Sequence, residues 1–89
     1  MIVAKGDGSA ASGASFAAVL RARRMRAGLT QRELAWRAGV GVRTLRELER
    51  ARVGRPQLGT VELLADALGL VGQVRASFIA MVRPAGPLA

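Results

Sequence analysis

The sequence predicts an all-helical fold, a compact bundle of five helices. Alanine and leucine dominate its apolar residues, and both favour helix. Aromatic residues make up only 3% of the chain, whereas β-sandwich cores are usually rich in aromatic and β-branched side chains. Glycine and proline divide the sequence into short segments in which apolar residues recur at helical spacing. A chain of 89 residues is expected to form a single domain.

The first helix is predicted over residues 15–27, where Ser15 can act as the N-cap and Gly28 ends the helix. Its inner stripe, read from the helical spacing, is Phe16, Val19, Leu20, Arg24 and Ala27. One charged residue, Arg24, therefore falls on the face that should be buried. Residues 1–14 are rich in glycine, serine and alanine and are interpreted as a flexible N-terminal arm.

The second helix is predicted over residues 30–38. Thr30 and Glu33 have the spacing of a capping box, in which the hydroxyl accepts from one orphan amide and the carboxylate reaches back to another. Gly39 is expected to end the helix. The inner face is predicted to consist of Leu34, Ala35 and Ala38.

The third helix is predicted over residues 42–50, followed by a loop over residues 51–59 that is rich in glycine and proline. Its inner positions are Leu45, Leu48 and Glu49. A charge on a buried face is tolerated only when it is paired. Since Glu49 and Arg24 both lie on inner stripes, we predict an ion pair between them that locks the first helix to the third.

The fourth helix is predicted over residues 60–68, with Thr60 as its N-cap, and the fifth over residues 72–82. The predicted inner residues are Val61, Leu64, Ala65 and Leu68, then Val74, Phe78, Met81 and Val82. The fifth helix has more apolar residues than one stripe requires. The surplus, chiefly Ile79, indicates either further core packing or a homodimer interface. Residues 84–89 are interpreted as a tail or linker, since their prolines cannot continue a helix.

The positive charge is concentrated in one segment. Residues 16–55 hold eleven arginines against three glutamates, so this segment alone accounts for the net charge of +8. A polyanion such as nucleic acid would be attracted there. The chain has neither histidine nor cysteine and only six carboxylates, so we expect no catalytic residues, no metal site and no cofactor. With no apolar run of membrane-spanning length and no signal peptide, a cytoplasmic protein is expected.

The segment QRELAWRAGVGVRTLRELER, residues 31–50, resembles the helix-turn-helix of the phage repressor and Cro (XRE-like) family. Ala35 is small where the two helices cross, and Gly39 stands in the turn, where a left-handed backbone is needed. The resemblance extends more loosely over residues 15–83. It implies a lambda-repressor-like bundle that binds double-stranded DNA as a bacterial transcriptional regulator, commonly a dimeric repressor, with residues 72–82 as a candidate dimer helix.

The resemblance also implies which residues contact DNA. Helix 42–50 would lie in the major groove as the recognition helix. Base contacts are expected from Val42, Arg43, Thr44, Arg46 and Glu47. Phosphate contacts are expected from Gln31, Arg50, Arg52, Arg55 and Gln57. Repressors of this family also carry an ion pair at the positions of Arg24 and Glu49. The alternative for the outward charges is a solvated helix face with local ion pairs.

Two residues depart from the family pattern. Gly41 stands where a serine or threonine usually caps the recognition helix, and Trp36 stands where a polar residue is usual. Trp36 is expected either to pack under the arm or another helix edge, or to be exposed as a partner or dimer contact. An exposed tryptophan would favour the alternative function, an antitoxin-type or protein-interaction module with weak or no DNA binding.

Overall fold

The computed structural model describes residues 13–83, which form five α-helices. They are α1 Gly13–Arg26, α2 Gln31–Ala38, α3 Val42–Glu49, α4 Leu58–Ala67 and α5 Gly72–Ala80. Strands are absent from this part of the chain, and the predicted all-α, five-helix fold is confirmed. The predicted arm, residues 1–14, lies outside the described residues except for the start of α1. The predicted tail, residues 84–89, lies outside them entirely.

The core is formed by the inner faces of all five helices. Helix α1 packs on α3, α2 packs on α3 and α4, and α4 packs on α5. The most deeply buried large side chains are Phe16, Leu20, Leu34, Leu45, Val61 and Leu64. The rings of Phe16 and Phe78 lie 5.1 Å apart between centroids at an interplanar angle of 47°, a favourable tilted geometry. This aromatic contact joins the first helix to the last.

Helix α1 begins two residues before the predicted Ser15 and ends at Arg26. Phe16 and Leu20 are buried as predicted, but Ala27 is exposed. The reason is that the chain has already left the helix at Ala27 and turns through Gly28, whose φ is +73°. The inner stripe therefore stops one turn earlier than the sequence pattern indicates.

The prediction that Thr60 caps the fourth helix is wrong. Helix α4 begins at Leu58, and Gln57 is its N-cap with an extended backbone. Leu58 packs against the hydrophobic core, so burial of an apolar side chain extends the helix toward its N-terminus. Gly59 lies in the first turn and is accommodated there, since a helical glycine costs only about 1 kcal/mol relative to alanine.

Helix α5 is oriented differently from the prediction. Val74, expected to face inward, is 41% exposed, whereas Ile79, the expected surplus residue, is 8% exposed and belongs to the core. Phe78 and Val82 are buried as predicted. The apolar residues of α5 are distributed around its circumference, so their spacing alone could not decide which side faces the core.

Candidate nucleic-acid interface

Helix α2 is fixed at both ends by local hydrogen bonds. The Glu33 amide donates to Thr30 Oγ1 at 3.0 Å, and the Thr30 amide donates to Glu33 Oε1 at 2.8 Å, so the predicted capping box is confirmed. These bonds to Thr30, assisted by the positive charge of Arg37, hold the pKa of Glu33 below its usual range. The first helix of the pair therefore has a defined start.

The turn between α2 and α3 begins at Gly39, whose backbone adopts the left-handed helical conformation. Its φ is +74°, its amide donates to Trp36 O at 3.2 Å, and the Val40 amide donates to Ala35 O at 3.0 Å. This pair of bonds is the Schellman motif, which satisfies the last carbonyls of a helix. Ala35 is buried, as its predicted place at the helix crossing requires. The turn sets the angle at which α3 leaves α2.

Helix α3 buries one face and exposes the other. Leu45 and Leu48 are buried in the core. Three of the five residues expected to read bases are exposed: Arg43, Thr44 and Arg46. Glu47 is half-buried. Val42 is also half-buried and packs against the core, so less of its side-chain surface is accessible for a base contact than the sequence predicted.

The start of α3 has no side-chain cap, as the glycine at position 41 led us to expect. Gly41 is the N-cap with an extended backbone, φ −70° and ψ 143°, and glycine has no side chain to donate or accept. At the other end, α3 stops at Glu49, with Arg50 as the C-cap. The chain then turns through Ala51, whose φ is +59°. The Arg52 amide donates to Glu47 O at 3.0 Å, which positions the backbone of Arg52 against the helix end.

A cavity of about 410 Å³ joins α3 to the loop that precedes α4. It is lined by Thr44, Leu48, Val53, Arg55, Pro56, Gln57 and Thr60. The structure thus brings Thr44, an expected base contact, together with Arg55 and Gln57, two expected phosphate contacts. Thr60 on this wall was missed as a site residue. No sequence signal pointed to it, because Gln57 was assigned to a loop and Thr60 to a helix cap, and their shared face appears only once α4 is known to begin at Leu58.

Arg50 lies elsewhere. Its exposed side chain lines a separate groove of about 460 Å³ between α1 and the end of α3, with Arg21, Ala22 and Met25 among the other walls. Arg50 is therefore not brought together with Arg55 and Gln57. The sequence predicted Arg50 on the outward face of α3, but Arg50 is the C-cap, one residue beyond the end of the helix, and its side chain lines the groove beside α1.

Arg24 and Glu49 form a bidentate ion pair. Arg24 Nε donates to Glu49 Oε2 at 2.7 Å, and Arg24 Nη2 donates to Glu49 Oε1 at 2.9 Å. Their side chains are 13% and 4% exposed. The hydrogen bond to Glu49 raises the pKa of Arg24, with burial acting in the opposite direction. Arg24 Nη1 also donates to Leu29 O at 2.9 Å, so one guanidinium connects α1, the α1–α2 turn and α3.

Gln31, the expected phosphate contact at the start of α2, joins the same network. Its Nε2 donates to Glu49 Oε1 at 3.1 Å, and its side chain is half-buried. Sequence reasoning missed this bond. The two residues are 18 positions apart, and no local spacing rule connects them.

Trp36 is 84% exposed on α2, so the prediction that it packs under another helix edge is wrong. The arm that was the other candidate cover lies outside the described residues. Arg32 and Arg37, which flank Trp36 on α2, are also exposed. Val71 and Val74, near the start of α5, are also exposed apolar residues.

None of the described helices is both long and apolar enough to cross a bilayer. Within residues 13–83, no cluster of three or more carboxylate, histidine or cysteine side chains is arranged to hold a metal ion.

A family model described as a helix-turn-helix domain matches residues 15–78, which is most of the chain. No curated protein and no solved structure matches at a significant level.

Proposed function

Since the chain belongs to the helix-turn-helix domain family, we propose that it binds double-stranded DNA as a sequence-specific transcriptional regulator. The observation that carries the proposal is the two-sided character of α3. Leu45 and Leu48 hold one side in the core, while Arg43 and Arg46 are exposed on the other. A helix presented in this way can enter the major groove, where arginine forms bidentate hydrogen bonds to guanine O6 and N7.

The surroundings of α3 support the same proposal. Thr44, Arg55 and Gln57 share one cavity beside the recognition helix, where Arg55 and Gln57 could contact the phosphates that flank a bound groove. Arg52 is exposed on the same connection. The segment over residues 16–55 carries the whole net positive charge, which supplies sequence-independent attraction to the DNA backbone.

A salt-titrated gel shift tests the proposal. We expect a mixed-sequence duplex to be retarded at low salt and released steeply as salt increases. The reason is that arginines bound to phosphates displace counterions from the DNA, and added salt reverses this displacement. Selection from a random duplex library should then enrich a defined target sequence. The absence of retardation on every duplex at low salt would overturn the proposal.

The exposure of Trp36 favours a second candidate function, an antitoxin-type or protein-interaction module with the same fold. Tryptophan and arginine are enriched at the centres of protein interfaces, and Trp36 is flanked by Arg32 and Arg37. The gel shift separates the two functions, since an interaction module that has lost DNA binding would leave every duplex unretarded.

We also propose that the protein dimerises through residues 72–82 together with the preceding Val71, on the basis of the exposed Val71 and Val74 rather than the buried Ile79. Val74 lines a cavity of about 350 Å³ between α1 and α5, together with Val19 and Met81. Sedimentation velocity should show a concentration-dependent dimer that Val74→Asp converts to a monomer, while Leu63→Asp, an exposed position on α4, should not. A monomer at all concentrations would refute dimerisation.

A further inference from the structure

The Glu49 carboxylate connects three helices. It accepts two hydrogen bonds from Arg24 on α1 and one from Gln31, the first residue of α2, while Glu49 itself is the last residue of α3. Glu49 Oε1 receives both Arg24 Nη2 at 2.9 Å and Gln31 Nε2 at 3.1 Å. The ion pair and the start of α2 are therefore parts of one network.

An ionised carboxylate can only accept hydrogen bonds, so Glu49 determines which way the Gln31 amide faces. The Nε2 group must point toward Glu49, and it carries a second hydrogen that this bond does not use. The positive charge of Arg24 offsets the negative charge of Glu49 beside the amide. An approaching phosphate would otherwise be repelled by that carboxylate.

We propose that Glu49 is a positioning residue for DNA binding, which orients the Gln31 amide toward a backbone phosphate at the start of α2. This inference rests on the proposed function. It implies that the residue that locks α1 to α3 also sets the geometry of a phosphate contact on α2. Changes at Glu49 should then alter DNA affinity through Gln31, and not only through the stability of the fold.

The side-chain amides can be observed directly. The sequence contains three glutamines, Gln31, Gln57 and Gln73, and no asparagine, so an NMR spectrum that correlates amide nitrogens with their protons holds only three side-chain carboxamide NH2 pairs. In the unaltered protein, the Gln31 pair should exchange with solvent more slowly than the pair of exposed Gln57. Glu49→Asp, which keeps the charge but shortens the side chain, should shift the Gln31 pair and leave the Gln73 pair in place.

A double-mutant cycle measures the coupling on DNA, with a labelled duplex of mixed sequence at low salt as the probe. Gln31→Ala and Glu49→Asp should each weaken binding roughly three- to tenfold, the effect of one hydrogen bond. In the Gln31→Ala background, Glu49→Asp should cause no further loss. Gln57→Ala is the matched control, and its effect should add fully to that of Glu49→Asp.

Every variant is measured at a temperature where circular dichroism shows it to be folded. Equal loss from Glu49→Asp in both backgrounds would overturn the positioning role while leaving DNA binding intact. If Glu49→Asp does not fold, the exchange measurement on the unaltered protein still tests the hydrogen bond between Gln31 and Glu49. Exchange as fast at the Gln31 amide as at the Gln57 amide would overturn the inference. A protein that binds no duplex at all would refute the proposed function and the positioning role with it.

Discussion

Arg24 on α1 and Glu49 on α3, 25 positions apart in the sequence, meet in a bidentate, part-buried ion pair whose side chains are 13% and 4% exposed. An exposed pair of the same type, Arg75 with Asp66, also lies in the described part of the chain, at 3.0 Å. The Arg75 and Asp66 side chains are 35% and 64% exposed, and both donors of Arg75 contact the same oxygen, Asp66 Oδ1. The two pairs therefore differ in burial and in geometry, and the exposed pair serves as a comparison for the less exposed one.

We predict that Arg24→Ala destabilises the fold by about 3–5 kcal/mol, because it leaves the Glu49 carboxylate buried without its cation. Arg75→Ala should cost less than about 1 kcal/mol, since an exposed pair is screened by solvent. Urea unfolding followed by circular dichroism measures both. Equal free energies of unfolding for the two variants would contradict the structural role of the buried pair.

Two glycines give a second matched prediction. Gly39 has φ +74°, whereas Gly59 lies inside α4, and no described atom lies within 4 Å of the Cβ that an alanine would add at either site. Gly39→Ala should therefore destabilise by about 1–2 kcal/mol through backbone strain alone. Gly59→Ala should stabilise by about 0.4–1 kcal/mol, since it reduces the freedom of the unfolded chain at no steric cost. Thermal unfolding that moves both variants in the same direction would refute this account.

Local chemistry explains which parts of the fold could be predicted from the sequence. The capping box of Thr30 and Glu33 and the turn at Gly39 involve residues within a few positions of each other, so their spacing determines their geometry. The pair of inner charges, Arg24 and Glu49, was evident because each interrupts an apolar stripe. The capping box and the turn belong to the helix-turn-helix, and the ion pair joins α3 to α1.

Tertiary contacts explain what the sequence did not predict. The start of α4 depends on the packing of Leu58 against the hydrophobic core, which outweighs the local signal of a threonine cap. The orientation of α5 depends on its neighbours: the apolar spacing predicted Val74 as an inner residue and Ile79 as a surplus one, whereas the structure exposes Val74 and buries Ile79. The bond from Gln31 to Glu49 crosses between helices, beyond any spacing rule.

The capping box makes stability depend on pH. Because the pKa of Glu33 is held below its usual value of about 4.3, its contribution is complete above that value and is lost as pH falls through the lower folded pKa. Comparing the wild type with Glu33→Gln in urea, from neutral pH to about pH 3, should show a difference that shrinks with acidification. A difference that is constant with pH would show that the charge of Glu33 is not involved.

Trp36 should contribute little to the folded state. It is the sole tryptophan, and with 84% of its surface exposed its fluorescence should match that of a solvated indole and be quenched readily by acrylamide. Trp36→Ala should change the free energy of unfolding by no more than about 0.5 kcal/mol. The control is Phe78→Ala, a buried aromatic whose loss should cost about 3–5 kcal/mol. Blue-shifted, protected emission would mean that another part of the chain covers Trp36.

The last prediction separates base reading from phosphate binding. Arg43 lies in the first turn of α3, the part of a recognition helix that reaches base edges, whereas Arg52 lies on the following loop. On a selected target, Arg43→Ala should cost about 1–3 kcal/mol and relax the base preference at one position. Arg52→Ala should weaken all sequences evenly and reduce the slope of log affinity against log salt by about 1. Competition binding against single-position variants of the target measures both effects. If Arg43→Ala also weakened every sequence equally, Arg43 would be a backbone contact, and base reading would have to come from Thr44 and Arg46.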